Sequence, residues 1–491
     1  MPNIFKIFSY WFFLSIFYVG AQTSNYWATG SVLVKNNKGL KNVMVSNGDT
    51  IVKTNKKGVF KIPVKPGQVV FPILPSGYKY YNTKKWWYNV SNNISNRAEV
   101  KINFSLQKTK VFKAFRLLAI GDIQVGDNQE LLQATQSIMK ELLNRNDYDF
   151  SIYLGDLVND SPNLFAPLKK LVDGLSRPSW AVYGNHDRNF NTEKANQHNQ
   201  FRTFFGPETY AFFKNNVLFV SLNSITPVGK YGYKNQYPEN QFKFLSQLLN
   251  SVDYKQPIVI SQHIPLVGMK NKETILKILN PYKNILFLTG HTHTISRNYI
   301  KTSSGNTIHE LTAGAVCGNW WRGQKDWEGI PLSLMSCGAP RGYFEINFNK
   351  EKYKIKYKGV GLPRNKQFSV WQGQYKGRPL AALSNSNEIY INVFSGSENT
   401  KVSLKLPDNQ SISLKQEFIV DPFVNYIKHS QREGLSPDKN SKKSPYLSKK
   451  SRHIWKGLLP DSLEKGYHKV QITITDPMFK DIKESLWLLK E

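Results

Sequence analysis

The sequence predicts an α/β core that is flanked on each side by a small β-rich domain. In the middle of the chain, five apolar runs have the length of buried strands, and each is followed at once by a short polar tip. Amphipathic stretches such as 131–143 and 242–249 lie between these runs and can cover a sheet. Towards both ends of the chain, short strand-like runs alternate with turns rich in Asn and Gly.

The first residues have the pattern of an export signal. Lys6 precedes the apolar run 7–19, and Gly20 and Ala21 follow it, which predicts a signal peptide (1–21) cleaved after Ala21. The run is too short to favour a membrane anchor. No later stretch is long and apolar enough to span, so we expect an exported protein, periplasmic or extracellular, with no transmembrane segment after cleavage.

Residues 24–108 read as a small β domain. The strand-like runs 31–34, 42–45 and 59–62 are separated by Asn/Gly turns, which predicts an antiparallel β-sandwich. Two segments, 39–43 and 54–60, are similar to transthyretin-like or carboxypeptidase-regulatory-like modules. Those modules bring no catalytic group to the chain.

The core, predicted over 111–350, carries its polar tips at the ends of strands. The predicted strands are 117–120, 151–154, 180–183, 258–260 and 285–288. The side chains of interest on the tips that follow are Asp122, Asp156, Asn185, His263, His291 and His293. If the strands lie side by side, their C-terminal ends bring these groups into one crevice, the usual place for a site on an α/β sheet.

These side chains predict a metal site. Carboxylates, an amide oxygen and imidazoles together suit divalent ions such as Mn, Fe or Zn. Six ligands exceed what one tetrahedral ion takes, so we expect two ions ~3.5–4 Å apart that share Asp156. A single Gly-Asp pair is usually a turn and a single buried His is usually a packed one. Histidines clustered at three strand tips, however, are not required by core packing.

The order of the tips resembles the calcineurin-like metallophosphoesterase family. The blocks are Gly-Asp-x-x, Gly-Asp-x-x-x-Asp, Gly-Asn-His-Asp, His and Gly-His-x-His. The resemblance implies an α/β/β/α sandwich and hydrolysis of phosphoric esters. It also implies the ligands of two ions: Asp122 and His293 for the first, Asn185, His263 and His291 for the second, and Asp156 as the bridge.

The same resemblance implies roles for the groups beside the ions. A hydroxide bridging the ions attacks phosphorus, His186 stays free of metal and protonates the leaving oxygen, and Asp187 orients the His186 ring. One position departs from the pattern, because Gln124 stands where the family's first block usually has His. A neutral amide binds a transition metal more weakly than imidazole, so we expect the first ion to be held less tightly or through water.

A glycine-rich stretch with paired tryptophans follows the last block. It spans 313–323 and continues at 338–343, and it contains Trp320, Trp321, Arg322 and Arg341. If it folds over the crevice, its aromatic faces can stack on a sugar or base, and its guanidinium groups can bind a phosphate or acidic group. The alternative is a packing patch between domains, and the sequence leaves both interpretations open.

The C-terminal region, 358–491, predicts a second β-sandwich. Its strand-like runs include 389–394, 401–406 and 470–474. The three-part layout resembles the secreted bacterial branch of the family, which carries β domains on both sides. Within this region, the Lys/Arg-rich stretch 430–453 predicts a solvated loop.

Net charge and cysteine content restrict the possible functions less than the motifs do. The formal charge of +31 favours anionic partners, but the lysines are scattered along the chain. No continuous basic groove with interleaved aromatics is evident, so a nuclease is a third interpretation and no specific nucleic acid is expected. Cys317 and Cys337 could pair after export, and the sequence does not establish whether they do.

Together these features predict an exported metal-dependent phosphoesterase, acting on phosphoric mono- or diesters. The expected substrate is a phosphorylated small molecule, glycan or lipid headgroup. The alternative is a non-catalytic, glycan-binding surface protein whose metal site is vestigial, and Gln124 is the feature that speaks for it.

Overall fold

The computed structural model describes residues 26–82, 85–91, 99–372, 374–375, 378–379, 387–432 and 447–490. The predicted signal peptide lies outside these residues. Over the described part of the chain, no helix combines the length and the apolar character needed to span a bilayer.

The N-terminal domain consists of two β-sheets with a shared core. Its strands are β1 (Tyr26–Val34), β2 (Lys38–Gly39), β3 (Met44–Ser46), β4 (Ile51–Lys53), β5 (Val59–Val64), β6 (Val69–Pro72), β7 (Tyr78–Tyr80), β8 (Tyr88–Asn89) and β9 (Glu99–Lys108). One sheet has the order β2-β1-β9-β7 with β5 also paired to β1, and the other has the order β4-β3-β6-β8. The expectation of purely antiparallel pairing is wrong for β1 and β9, which run parallel because the intervening strands supply the crossover.

The core domain contains thirteen further strands. They are β10 (Ala114–Ile120), β11 (Phe150–Tyr153), β12 (Ser179–Ala181), β13 (Tyr210–Lys214), β14 (Val217–Ser221), β15 (Ile225–Val228), β16 (Gly232–Asn235), β17 (Ile258–Ser261), β18 (Ile285–Thr289), β19 (Ile295–Lys301), β20 (Thr307–Ala313), β21 (Gly342–Asn349) and β22 (Lys352–Gly359). The first core sheet has the order β12-β11-β10-β21-β22, and the second has the order β13-β14-β17-β18-β20-β19. Strands β15 and β16 form a separate hairpin.

The five predicted strands are all present, but they are divided between the two core sheets. Strands β10, β11 and β12 are parallel neighbours in the first sheet, and β17 and β18 are parallel neighbours in the second. Aromatic side chains join the sheets face to face, because Phe115 and Phe150 of the first contact Phe219 of the second at 6.1 and 5.3 Å between ring centroids. The predicted α/β/β/α sandwich is therefore confirmed.

Six helices belong to the core domain: α1 (Asn128–Ala134), α2 (Lys140–Leu143), α3 (Phe165–Asp173), α4 (Asn199–Phe205), α5 (Glu239–Leu249) and α6 (Lys272–Leu279). A π-helical segment (Thr135–Met139) joins α1 to α2. Helix α1 begins at a capping box, in which Asp127 accepts from the Glu130 N–H at 2.8 Å and Glu130 accepts from the Gly126 N–H at 2.8 Å. The cap fixes the direction in which the chain leaves the first polar tip.

The C-terminal domain is a second sandwich, as predicted. Its elements are β23 (Phe368–Gln372), β24 (Gln374–Tyr375), β25 (Arg378–Pro379), β26 (Glu388–Val393), β27 (Lys401–Lys405), β28 (Ser411–Ser413), β29 (Lys415–Val420), α7 (Pro422–Arg432), β30 (Lys450–Leu458), β31 (Gly466–Thr475) and β32 (Ile482–Lys490). The sheets β23-β26-β30-β29 and β28-β27-β31-β32 share one apolar core. The prediction of a loop over 430–453 is wrong at both ends, since α7 runs to Arg432 and β30 begins at Lys450, and residues 433–446 lie outside the described ones.

Two arginines connect the flanking domains to the core domain. Arg202 of α4 forms an ion pair with Glu208 at 2.6 Å and donates to the Gly67 carbonyl of the N-terminal domain at 2.9 Å. On the other side, Arg297 of β19 forms a fully buried pair with Asp476 of the C-terminal domain at 2.9 Å. Each guanidinium therefore spans a domain boundary while its charge is compensated.

Candidate metal centre

Glycines let the polar tips approach one another closely. At Gly155, which has a φ of +92°, a Cβ atom would lie 2.5 Å from Nδ1 of His263. At Gly184, a Cβ atom would lie 2.1 Å from the backbone nitrogen of Asp156. A side chain at either position would push the neighbouring tips apart, which explains why glycine precedes Asp156 and Asn185.

Four predicted ligands converge at the second ion site. The Nε2 atom of His263 lies 3.1 Å from Asp156 Oδ2, 3.2 Å from Asn185 Oδ1 and 3.2 Å from His291 Nδ1. His263 Nδ1 lies 2.8 Å from the Leu154 carbonyl and donates to it, so Nε2, the atom that exchanges its proton for a metal ion on binding, is directed at these groups. Lone pairs facing one another repel unless a cation lies among them. This donor set fits a divalent ion.

The predicted ligands of the first ion lie on the adjoining side of the same crevice. His293 Nδ1 donates to the Gly318 carbonyl at 2.7 Å, which leaves Nε2 for an ion, and this Nε2 lies 3.9 Å from Asp122 Oδ2. Asp122 is fully buried and accepts from the His291 backbone N–H at 2.8 Å. Both side chains are thus held in place by backbone groups, a common arrangement around metal ligands.

Gln124 lies beside the first site, with a strained backbone. Its φ is +46°, its side chain is buried, and its Oε1 accepts from the Cys317 thiol at 3.7 Å. The Cys317 sulfur is also 3.7 Å from His293 Nδ1. In this arrangement the Gln124 amide oxygen is turned to the thiol. Cys317 and Cys337 are both buried and free, so they form no disulfide.

Burial sets the protonation of the ligands. It raises the pKa of Asp122 well above the ordinary range, and it lowers the pKa of His291 to about 3 and that of His293 to about 4. At His263 burial acts in the same direction, but the Asp156 carboxylate outweighs it and raises the pKa to about 9. His291 and His293 are therefore neutral, the form in which imidazole binds metal.

The His186 ring has a different partner from the one expected. Its Nδ1 atom lies 2.8 Å from Asp160 Oδ1, and its backbone N–H donates to Asp156 Oδ1 at 2.8 Å. Burial opposes protonation of the ring, but Asp160 and Asp156 outweigh it and raise the pKa of His186. Asp160 closes the Gly-Asp-x-x-x-Asp block, so the spacing of that block was the signal that could have identified it.

Asp187 instead organises the loops, and its predicted contact with the His186 ring is wrong. One carboxylate oxygen accepts from the Leu157 and Val158 N–H groups at 2.8 and 3.2 Å. The other accepts from the Gly184 N–H at 2.9 Å. Burial and the charge of Asp156 raise the pKa of Asp187 to about 7. Asp187 therefore joins the second polar tip to the third, with its oxygens occupied by backbone donors.

The two adjacent tryptophans have different surroundings. The Trp320 ring stacks on His293, with 4.2 Å between centroids and 27° between planes, and the Arg322 guanidinium lies 5.4 Å from the Trp320 ring centroid. Trp321 is only 2% exposed, and its indole N–H donates to the Ile123 carbonyl at 2.9 Å. Buried Arg341 covers the Trp321 ring at 5.7 Å. Trp321 and Arg341 are thus packing residues, which corrects the substrate-binding prediction for them; Trp320 and Arg322 are partly exposed beside the first site.

Other residues at the crevice were missed from the sequence. Arg188 is buried and donates to the carbonyls of Asn185, Gly232 and Tyr231, so it holds the β15–β16 hairpin against the third tip. Tyr233 of that hairpin meets His291 edge to face at 6.3 Å. Arg188 directly follows the Gly-Asn-His-Asp block, and that adjacency was the available signal.

Family models match nearly the whole chain in the order of its three parts. The model for the N terminal of calcineurin-like phosphoesterase matches residues 27–109, the calcineurin-like phosphoesterase model matches 115–294, and the model for its C terminal matches 310–481. The chain belongs to the calcineurin-like phosphoesterase family. The C-terminal model begins within β20, so it includes strands that complete both sheets of the phosphoesterase core.

Several solved structures have low similarity to this phosphoesterase. The purple acid phosphatase PPD1 of yellow lupin (Lupinus luteus) shares 11% identity over 65% of this chain and 67% of its own, with a TM-score of 0.35. The phosphopantetheinyl hydrolase PptH of Mycobacterium tuberculosis shares 14% identity over 44% and 94% (TM-score 0.28). An archaeal phosphodiesterase shares 13% identity over 50% and 99% (TM-score 0.24). No curated protein sequence matches the chain.

Proposed function

We propose that this protein is an exported, metal-dependent hydrolase of phosphoric mono- or diesters. The observation that carries the proposal is the convergence of Asp156, Asn185 and His291 on His263 Nε2 within 3.2 Å. His186 stands at the edge of this cluster, because its backbone N–H binds the Asp156 carboxylate. The arrangement combines a divalent-ion site with a group that can transfer a proton.

The residues of the crevice have separable tasks. Two divalent ions, when bound, make water acidic enough to attack phosphorus near neutral pH and neutralise charge on the phosphoryl oxygens. Asp122 and His293 would hold the first ion, Asn185, His263 and His291 would hold the second, and Asp156 would be shared. All of these side chains except the half-buried His291 are buried, which limits the access of bulk water to the ligand atoms.

His186 supplies the proton for the leaving oxygen. Because Asp160 accepts from Nδ1, the second proton of the imidazolium is held at Nε2, the atom that can face a substrate. The side chain is 33% exposed, so a substrate can reach it. Burial lowers the pKa of the ring, but Asp160 and Asp156 outweigh it and raise that pKa, which favours the acid form.

Metal reconstitution and a substrate panel test the proposal. The purified chain is stripped with chelator, reloaded with Mn, Fe or Zn, and assayed on a phosphomonoester, a phosphodiester and a pyrophosphate. We expect two equivalents of metal and metal-dependent turnover on at least one ester. Asp156→Asn should abolish turnover, whereas His468→Gln, at an exposed C-terminal histidine, should not alter it. Absence of bound metal and of turnover, together with glycan binding, would establish the non-catalytic alternative instead.

Export is a separate part of the proposal. The order Lys6, apolar run 7–19 and Ala21 supports removal of residues 1–21. The mass of the protein recovered from a bacterial host tests it, since cleavage leaves Gln22 as the first residue. Retention of the full chain inside the cell would contradict this part without affecting the chemistry.

A further inference from the structure

The segment 447–449 of the C-terminal domain contacts loops that adjoin the predicted metal ligands. The Leu447 backbone exchanges hydrogen bonds with the Asn319 side chain at 3.0 and 3.4 Å. The Lys449 N–H donates to the Ser336 carbonyl at 3.0 Å, and the Ser336 N–H donates to the His293 carbonyl at 3.1 Å. In this series of hydrogen bonds, Ser336 alone lies between the Lys449 backbone and the backbone of His293, a predicted metal ligand.

The Lys449 ammonium group contacts the backbone of the Gly-His-x-His block. Its Nζ donates to the Thr292 carbonyl at 2.8 Å, and Thr292 lies between the predicted ligands His291 and His293. An ammonium group has three N–H donors, and one carbonyl occupies only one of them. The side chain is exposed, so the remaining donors are accessible to a ligand.

A groove continues from Lys449 between the two domains. It has a volume of about 490 Å³ and lies between β19 and the start of β30, where Lys450 and Arg452 are exposed. Alternate residues of a strand lie on one face, roughly 7 Å apart. The acidic residue of the groove lining is Glu398, while the charge of Arg297 is compensated by Asp476. The lining thus carries a net positive charge.

We propose that this groove binds a second anionic group of the substrate, next to the phosphate that is cleaved, with Lys449 as its principal contact. The inference rests on the proposed function for the identity of the first phosphate. It narrows the substrate class to phosphoesters with a further phosphate or comparable anion. The C-terminal domain then supplies the contact that selects a substrate with a second charged group, whereas the core domain supplies the ligands of the ions.

Binding of two matched ligands tests the inference without requiring turnover. Thymidine 5′-monophosphate and thymidine 3′,5′-bisphosphate differ by one phosphate, and their affinities for the metal-loaded full chain are measured by calorimetry. We expect the bisphosphate to bind about tenfold more tightly, the size of one charge-assisted contact. Lys449→Gln should reduce this ratio to about two, and Lys449→Gln combined with Arg452→Gln should abolish it. Lys469→Gln, at an exposed position of β31, should retain it.

The outcomes separate this inference from the proposed function. Equal affinities in the wild-type protein, or a ratio unchanged by Lys449→Gln, would overturn the inference even if the protein hydrolyses esters. A ratio that depends on Lys449 in a protein without turnover would support the anion groove and count against the hydrolase. Thermal unfolding of each variant is the control. An unfolding temperature equal to that of the wild type shows that the loss of the affinity ratio does not result from loss of the fold.

Discussion

The His186 ring and the Asp160 carboxylate are joined at 2.8 Å, although 26 residues separate them in the chain. Asp160 belongs to the same polar tip as Asp156, so one tip supplies both a predicted metal bridge and the partner of the proposed proton donor. Asp160 is therefore a positioning residue for His186, and Asp187 is a structural one. Substitution of Asp160 should therefore affect proton transfer, whereas substitution of Asp187 should affect stability.

Asp160→Ala should impair proton donation to the leaving oxygen. General acid catalysis contributes about 10²-fold or more, and it matters most when the departing alcohol is a poor leaving group. We expect kcat on an alkyl phosphoester to fall by about 10²-fold, and kcat on the 4-nitrophenyl ester to change little. Asp160→Asn, which keeps an acceptor oxygen, should recover part of the loss. Equal losses on both esters would show that Asp160 has no part in proton transfer.

Asp187→Asn should reduce stability and leave the leaving-group dependence unchanged. The amide replaces one of two oxygens that accept from the backbone N–H groups of Leu157, Val158 and Gly184. Leaving a buried donor without its acceptor costs about 1–3 kcal/mol in the free energy of unfolding, which urea denaturation measures. Asp173→Asn, which removes a surface pair with Lys169, provides the control. A wild-type unfolding curve for Asp187→Asn would contradict this role.

The adjacent tryptophans should respond differently to truncation. Trp321→Ala removes a buried ring and its hydrogen bond to Ile123, so the free energy of unfolding should fall by about 3–5 kcal/mol. Trp320→Ala removes the ring stacked on His293, an interaction of about 0.5–1.5 kcal/mol, so the first ion should bind several-fold more weakly with little loss of stability. Metal titration and urea denaturation of both variants separate these effects. Identical profiles would mean that both rings serve packing alone.

The Arg202–Glu208 pair predicts a pH dependence of stability. Burial alone would raise the pKa of Glu208, but the Arg202 guanidinium outweighs it and lowers that pKa to about 2. Because the folded-state pKa lies below the unfolded-state value of about 4.3, the stabilisation is fully present above that value and is lost as pH falls towards 2. Glu208→Gln should therefore flatten the stability profile below about pH 5 and cost about 3 kcal/mol near pH 7.

The control for this prediction is Glu328→Gln, which removes an exposed pair with Lys140. Exposed pairs contribute little to stability, so its profile should follow the wild type. If Glu208→Gln and the wild type lose stability in parallel between pH 5 and pH 2, other carboxylates control the acid limb.

The features that were predicted correctly from the sequence are those that local patterns determine. A buried strand followed by a polar tip is a local signal, and the five strands and their tips lie where it placed them. The partner of His186 could not be predicted, since Asp160 and Asp187 both lie on tips and only the packed loops decide between them. The contrast between Trp320 and Trp321 has the same cause. Trp320 and Trp321 both have positive φ angles, 55° and 50°, and the turn places the Trp320 ring against His293 and buries the Trp321 ring.

Long-range contacts were the least predictable. The contact of Lys449 with Thr292 joins residues 157 positions apart, and no pattern near either residue indicates it. The parallel pairing of β1 with β9 similarly depends on the route of the whole N-terminal domain. In both cases the deciding information is the relative placement of distant segments.

The division of the ligands between two sheets has a consequence for maturation. Asp122, Asp156 and Asn185 follow strands of the first core sheet, whereas His263, His291 and His293 follow strands of the second. During synthesis the acidic half emerges well before the histidine half, and neither half alone holds a complete ligand set. The predicted ligand set is therefore complete only after the two sheets have packed, so the metal supply of the compartment in which folding finishes would decide which ions the protein carries.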